Sequence, residues 1–347
     1  VSGFGENNRN AVFFALRNKE FYMDLSTLRK ALEGERYVFD DNLLTTLYIA
    51  IKLGKPLLIE GAAGVGKTEV AKVLAAAYGV ELTRLQCYGG LDEAKALYEW
   101  NYQKQLLSIQ LNLKQSSGKT GGAETDGKTS QGNAADQAVV SGDSNGREAE
   151  CGDKRLEGLF SRDFLLERPL LKAISSDREE VLLIDEIDKA DEEFEAFLLE
   201  LLSDFQVSIP ELGTVKAKMR PVIVLTSNNT RQLSDALRRR CAYLFIEYPT
   251  IEKEYAIINA KIPGVPAKLA ADVAAAAAYL RNNEKIFKKP SIAETLDWAS
   301  ALMALDQKRL DEESAAKTVG FMLKNQEDIL EFSEDGGFGR FIAEQLT

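Results

Sequence analysis

Apolar residues recur along this chain in two rhythms. Unbroken aliphatic runs closed by a polar residue read as strands buried on both faces, whereas apolar positions three or four apart read as helices. The first rhythm picks out Pro56-Leu57-Leu58-Ile59, Val181-Leu182-Leu183-Ile184 and Pro221-Val222-Ile223-Val224-Leu225, with Val80 to Gln86 and Ala242 to Ile246 as further strands. The second predicts a helix from about Phe13 to Leu32, with Asp24 as a cap for Leu25 to Lys30. Another helix, capped by Asp40 or Asp41, runs through Leu43, Leu44, Leu47 and Ile51 and stops at Gly54. Glu69 to Ala76 continues as helix to Tyr78-Gly79. The stretch Phe164 to Ile174 reads as helical around Pro169, and Leu233 to Arg240 as another helix. After Asp191 the buried face of a helix is marked by Phe194, Phe197, Leu198 and Leu201. Gln206 to Ile209 and Thr214 to Ala217 form a small hairpin across Pro210 and Gly213.

Two stretches break the alternation. Leu91 to Leu113 predicts a short helix followed by an extended arm carrying Ile109, Leu111 and Leu113. Lys114 to Lys154 is dominated by Gly, Ser, Thr, Asn, Ala and Asp, too polar to bury the surface that would offset its ordering entropy. A disordered insertion over 114–154 is expected. Beyond Tyr248 the strands cease. Helices are predicted over Ile251 to Lys261, Pro266 to Asn283, after the capping box Ser291-Ile292-Ala293-Glu294, and over Asp311 to Lys324. The expected organisation is a helical segment over 1–36, an α/β core over 37–248 and an all-helical domain over 249–347.

Composition narrows the class. With 347 residues, 45% of them hydrophobic, the chain can fill the core of an α/β domain and a smaller appendage. A net charge of −11 argues against general affinity for nucleic acid or anionic membranes. There is no histidine, so imidazole catalysis and histidine metal sites are excluded. Cys87, Cys151 and Cys241 are scattered and odd in number, as befits free thiols in a reducing compartment. No apolar run reaches membrane-spanning length, and the first residues lack a basic-then-apolar signal design, so a cytoplasmic protein is expected.

Candidate chemistry begins at Gly61-Ala62-Ala63-Gly64-Val65-Gly66-Lys67-Thr68, followed by Glu69. This is G-x-x-x-x-G-K-[ST] between a predicted strand and helix. Its glycines let successive amides converge on phosphate oxygens at the positive end of the helix dipole. Lys67 then reaches the β and γ phosphates of ATP, and Thr68 offers its hydroxyl to Mg²⁺. Asp185, ending a buried strand, is a second Mg²⁺ ligand through its water shell, and Glu186 a base for the attacking water. Asn228 ends a neighbouring strand and can hold the same water. Arg238, Arg239 and Arg240 close a helix, where they offset the dipole or, for one of them, enter a neighbouring subunit's site. The phosphate loop and the acidic residues are expected at adjacent strand tips.

This constellation resembles the AAA+ ATPases, and in particular the MoxR group in the branch near the ATPases that mature carbon monoxide dehydrogenase. The resemblance runs from about Tyr37 to Asn325 outside the polar insertion. It includes Leu85-Gln86-Cys87-Tyr88, Leu97-Tyr98-Glu99-Trp100-Asn101-Tyr102, Leu182 to Asp188, Phe205 to Thr214, Leu225 to Asn228, Leu237 to Cys241 and Ala293-Glu294-Thr295-Leu296-Asp297-Trp298. It implies a P-loop NTPase fold with the P-loop strand central in a parallel sheet, a helical lid, and a ring, expected to be a hexamer. It implies Arg240 as arginine finger with Arg239 in reserve, and a clade-specific insertion from Leu91 to about Ile174. The hairpin Gln206 to Ala217 becomes a candidate partner-contacting element. By the same resemblance the partners are a von Willebrand factor A domain protein and a client metalloenzyme, activated at the expense of ATP. The chain departs from many relatives in having no arginine near Ile292 to Glu294, where a lid residue senses the γ-phosphate. Lys288 and Lys289 are nearby cations without an assigned role. The alternatives are a nucleic-acid-stimulated motor and a slow, nucleotide-gated switch.

Overall fold

The computed structural model describes residues 23–117, 162–210 and 212–345. The predicted helical start before Met23, Cys151 and most of the polar insertion lie outside them. In chain order, α1 (Leu25–Gly34) and α2 (Asp41–Leu53) lead into β1 (Leu57–Gly61), α3 (Lys67–Tyr78) and β2 (Glu81–Gln86). An excursion follows through α4 (Glu93–Leu97), β3 (Tyr98–Trp100), α5 (Tyr102–Ser117) and β4 (Leu165–Glu167). The chain returns by α6 (Pro169–Ser175) to β5 (Glu180–Asp185) and α7 (Glu192–Asp204). The hairpin β6 (Gln206–Ile209) and β7 (Gly213–Lys216) precedes β8 (Val222–Ser227), α8 (Asp235–Arg240) and β9 (Ala242–Ile246).

Five of these strands form one parallel sheet in the order β2-β5-β8-β1-β9. Every residue of β1 and β5 is buried, as two-sided covering by helices demands. Alternate residues serve opposite faces. Leu182, Ile184, Ile223 and Leu225 pack with α6 and α7, while Val181, Leu183, Val224 and Ile59 pack with α1, α2 and α3. The strand carrying the P-loop is interior but not central, since β8 holds the middle position. Nor are the tips of β1 and β5 adjacent: β8 separates them, pairing Leu58 with Leu225 on one side and Leu225 with Ile184 on the other.

Local departures have local causes. Asp40, not Asp41, caps α2 by accepting the Leu43 N–H at 2.8 Å, leaving Asp41 free to pair with Arg29. Asp191 occupies the cap position of α7, yet its carboxylate instead accepts the Gly90 N–H at 3.2 Å, tying that helix to the loop after β2. The arm predicted through Ile109, Leu111 and Leu113 is helix α5, rich in Leu, Gln and Lys, which favour helix. Among the residues of this helix whose burial is described, over 102–110, little faces a core, with Tyr102, Leu106 and Leu107 all exposed. The helix expected around Pro169 starts at that proline, and the preceding Leu165–Glu167 pairs antiparallel with β3.

The remaining chain is helical: α9 (Ile251–Lys261), α10 (Ala267–Asn282), α11 (Ile292–Ala304), α12 (Glu312–Thr318), α13 (Gln326–Glu334) and α14 (Gly337–Gln345). The capping box at Ser291 and Glu294 is formed. The helix predicted from Asp311 to Lys324 is shorter, passing into a single 3-10 turn over Val319–Phe321. These helices bury their own core around Trp298, Leu280 and Phe341. Inside it Arg281 grips Glu254 with both terminal nitrogens and donates through Nε to the Pro290 carbonyl at 2.8 Å. That ion pair therefore fixes the chain immediately before α11.

Glu254 is fully buried, so Glu254→Ala leaves the Arg281 charge stranded. The variant is expected to lose about 3–5 kcal/mol in urea denaturation. A loss comparable to an exposed pair, below about 1 kcal/mol, would contradict this account.

Candidate active site

The site is assembled at the carboxyl ends of β1, β8 and β5. Beyond β1 the chain curls through Gly64 (φ +76°) and Gly66 (φ +92°), left-handed conformations that suit glycine, before α3 begins at Lys67. No side chain caps this helix end, the arrangement that receives phosphate. Lys67 is buried, and its ammonium donates to the carbonyls of Gly61 (2.8 Å) and Ala62 (2.6 Å) and to Asn228 Oδ1 (2.8 Å). Burial pushes its pKa below the usual lysine range, against the opposing pull of Asp188, Asp185 and Glu186.

Thr68 stands one residue further on and donates its hydroxyl to Asp185 Oδ1 at 3.0 Å. Asp185 is buried at the tip of β5, where Thr226 also donates to Oδ1. Its other oxygen accepts from Arg84 through Nε (3.1 Å) and Nη2 (2.5 Å). Glu186 has left-handed backbone angles (φ +56°, ψ +50°), unusual for a residue with a side chain. The turn is held by its N–H on Thr226 Oγ1 (3.0 Å) and by the buried Ile187 that follows. The Glu186 carboxylate accepts from Gln86 (2.9 Å), Lys189 (2.5 Å) and, more distantly, Asn228 Nδ2 (3.4 Å). The Lys189 pKa is raised by that hydrogen bond and by the charge of Glu186. Asn228 thus faces a cation with its carbonyl and an acid with its amide, a task for which a neutral side chain with both groups is suited.

Several contributors had no role assigned from the sequence. Asp188 accepts the N–H groups of Asn228 (3.1 Å) and Thr230 (3.0 Å) and the Thr230 hydroxyl (2.6 Å), so it sets the loop that presents Asn228. Burial works to raise its pKa, but these hydrogen bonds prevail and hold it below the usual range. Thr226, Arg84 and Gln86 act on the same two acids from neighbouring strands. Their strand positions were legible, but the register that brings them to the acids was not. Cys87, beneath the acids, has its thiol pushed up to about 12 by burial and the nearby carboxylates. It is protonated at neutral pH.

The cleft beside these residues has a volume of about 830 Å³. Its far wall is the helical domain: Lys253, Ile257 and Lys261 from one face of α9, and Ile292, Ala293 and Leu296 from α11. Lys253 pairs with Asp40 at 3.0 Å and Lys261 with Glu69 at 3.0 Å, so two ion pairs join the lid to the core. Lys288 and Lys289 do not line the cleft, and Lys289 is turned back to the Asn283 carbonyl. The lid also touches the P-loop directly, with the Ile292 N–H donating to the Gly64 carbonyl at 3.2 Å. A Cβ on Gly64 would come within 2.2 Å of Ser291 Cβ.

The three arginines of α8 have separate fates. Arg238 forks onto Glu60 (3.0 and 3.4 Å) and lies over the Tyr243 ring. Arg240 donates to Ser203 Oγ at 2.7 Å and to the Ala236 carbonyl at 3.1 Å. Arg239 is exposed. None of the three lines the cleft of its own chain.

The donor set suits Mg²⁺. Thr68 Oγ1 and Asp185 Oδ1 converge beside the P-loop, supplying one hydroxyl and one carboxylate. That is the sparse protein contribution expected when phosphate oxygens and water complete an octahedron. Among the described residues no group of three His, Cys, Asp or Glu side chains forms a separate metal cage, and no helix is long and apolar enough to cross a membrane.

Comparison with known proteins agrees with this chemistry. Residues 56–125 match the family described as the AAA domain of the dynein-related subfamily, and residues 125–248 match the ATPase family associated with various cellular activities. No curated protein matches the chain in sequence. Among solved structures, the Thermotoga maritima RuvB Holliday junction branch migration motor is similar at 15% identity. It covers 88% of this chain and 76% of its own, with a TM-score of 0.43. A point variant of that motor is 16% identical, with coverages of 94% and 80% and a TM-score of 0.43. Likenesses this loose transfer no chemistry.

Gly64→Ala places a methyl group against Ser291 and is expected to weaken binding of a fluorescent ATP analogue by about tenfold, the scale of one overpacked contact. Combining it with Ser291→Gly removes the collision and should recover part of that loss. Unchanged affinity in the single variant would refute the tight seating of lid on loop.

Proposed function

Since this chain belongs to the AAA+ ATPases and hydrolyses ATP, we propose that it couples hydrolysis to remodelling a client protein, as an assembly whose sites are completed by a second copy. The observation that carries the reading is the convergence of Lys67, Asn228, Asp185 and Glu186 from three strand ends. Gly61 to Glu69 surround the triphosphate. Lys67 leaves its carbonyl and Asn228 partners for the β and γ phosphates. Thr68 and Asp185 would hold Mg²⁺, which when bound would neutralise phosphate charge. Glu186 takes the proton of the attacking water, and Asn228 orients that water.

The second copy supplies the cation that the cleft does not draw from its own α8. By the resemblance that cation is Arg240, with Arg239 in reserve; Arg240 would leave Ser203 and Ala236 for the neighbouring site, as Lys67 leaves its own partners. Client remodelling is favoured by the exposed Tyr102, Leu106 and Leu107 on the inserted helix α5, large apolar residues beside a well-filled core. The resemblance to the MoxR group makes the client a metalloenzyme, the partner a von Willebrand factor A domain protein and the ring a hexamer.

Lys67→Ala is expected to abolish nucleotide binding. Glu186→Gln should bind ATP with nearly native affinity and turn it over at least about 100-fold more slowly. Arg240→Ala should bind but hydrolyse poorly, and mixing it with Lys67→Ala subunits should restore part of the activity. Native turnover in the Glu186 variant would remove the assigned base. Failure of every mixing ratio would remove the shared site, and stimulation by DNA in place of protein would redirect the client assignment to nucleic acid.

A further inference from the structure

The two acids at the tip of β5 are gripped by the strand beside them. On β2, Arg84 and Gln86 are two residues apart and share one face of the sheet. Register pairs Gln86 with Asp185 and Arg84 with Leu183, which aims both side chains along β5 toward its end. Arg84 donates to Asp185 Oδ2 through Nε and Nη2, and Nη2 donates again to Gln86 Oε1 at 2.5 Å. With its oxygen so occupied, the Gln86 amide turns its nitrogen to Glu186, donating at 2.9 Å. The chain of bonds therefore runs Asp185, Arg84, Gln86, Glu186. It begins on the carboxylate next to Thr68 and finishes on the one beside Asn228.

We infer that Arg84 is a positioning residue that aligns Asp185 in the ATPase site. The inference rests on the reading of Asp185 as a metal ligand. Its physical basis is a division of labour between two oxygens. The guanidinium fork occupies Oδ2 and so holds Oδ1 toward the Thr68 hydroxyl, 3.0 Å away. Thr226 also donates to Oδ1, so removing Arg84 opens Oδ2 and leaves hydroxyl contacts on one oxygen alone to set the rotation of the carboxylate. Partners of this kind around a metal ligand are worth about 10–100-fold in metal affinity. A lysine cannot take the place of the arginine, because one ammonium lacks the planar fork that reaches a carboxylate and an amide together.

The opposite expectation is equally physical. A cation next to the metal ligand repels Mg²⁺, and if that repulsion dominated, removing Arg84 would tighten metal binding. The side chain of Arg84 is about half exposed, at 50%, so water screens its charge while its geometry persists. Orientation is therefore expected to win.

The test titrates Mn²⁺ into the full-length protein saturated with ADP and follows free Mn²⁺ by electron paramagnetic resonance. Arg84→Ala should weaken Mn²⁺ binding by about tenfold, with ADP affinity in EDTA unchanged. Arg84→Lys should remain at least about threefold weak. Should the alanine variant fold poorly, Arg84→Gln, of similar length and without the fork, is expected to show the same loss. Gln86→Ala keeps the Asp185 contact, so it should retain native Mn²⁺ affinity. Mn²⁺ affinity within twofold of native in Arg84→Ala, tighter binding, or full rescue by lysine would each overturn the inference. If the native protein binds ADP but shows no ADP-dependent Mn²⁺ site, the metal reading itself fails and takes this inference with it.

Discussion

Parallel pairing of β5, β8 and β1 is the constraint on which the site depends. Parallel strands start together on one edge of the sheet and end together on the other, so the ends of these three bring Asp185, Asn228 and the P-loop to one side. The strand in the middle is the one whose tip carries the neutral group. Asn228 separates the buried ammonium of Lys67 from Glu186 and bonds to both, which an acid or a base in its place could not do without repelling one of them. Covering helices make this arrangement rigid. With β1 and β5 buried throughout, slipping a strand by one residue would turn every one of its side chains to the opposite face, against the wrong helices.

Much of this was legible in the chain because the signals were local. Strand runs, helix caps at Asp24, Asp40 and Ser291, and the Gly61 to Thr68 pattern depend on neighbours a few residues apart. Strand order is a property of distant pairings, and for that reason β8 was not foreseen between β5 and β1. Register explains what else was missed. Arg84 and Gln86 had no role assigned on the strand Val80 to Gln86, and only its pairing with β5 reveals what they touch. Asp188 stood in the sequence only as the end of the phrase Leu182 to Asp188, yet it is a buried acceptor for three donors. Helix α5 failed for a different reason, since over 102–110 it has little buried face and lacks there the periodicity by which buried helices are recognised.

The sequence has no arginine at the start of α11, and the structure places Ile292, Ala293 and Leu296 there against the cleft. The cations that reach the cleft from the lid come from α9 instead and are occupied by core carboxylates. Lid and core are joined further by the Gly64–Ile292 hydrogen bond. Position is secured from behind by the buried pair of Arg281 and Glu254, which fixes the Pro290 carbonyl.

The pairs Lys253–Asp40 and Lys261–Glu69 have one more consequence. Both are partly exposed, so dissolved ions compete with them far more than with the buried pair behind. The hold of the helical region on the core at these two points therefore weakens as salt rises, while the buried pair of Arg281 and Glu254 is screened far less.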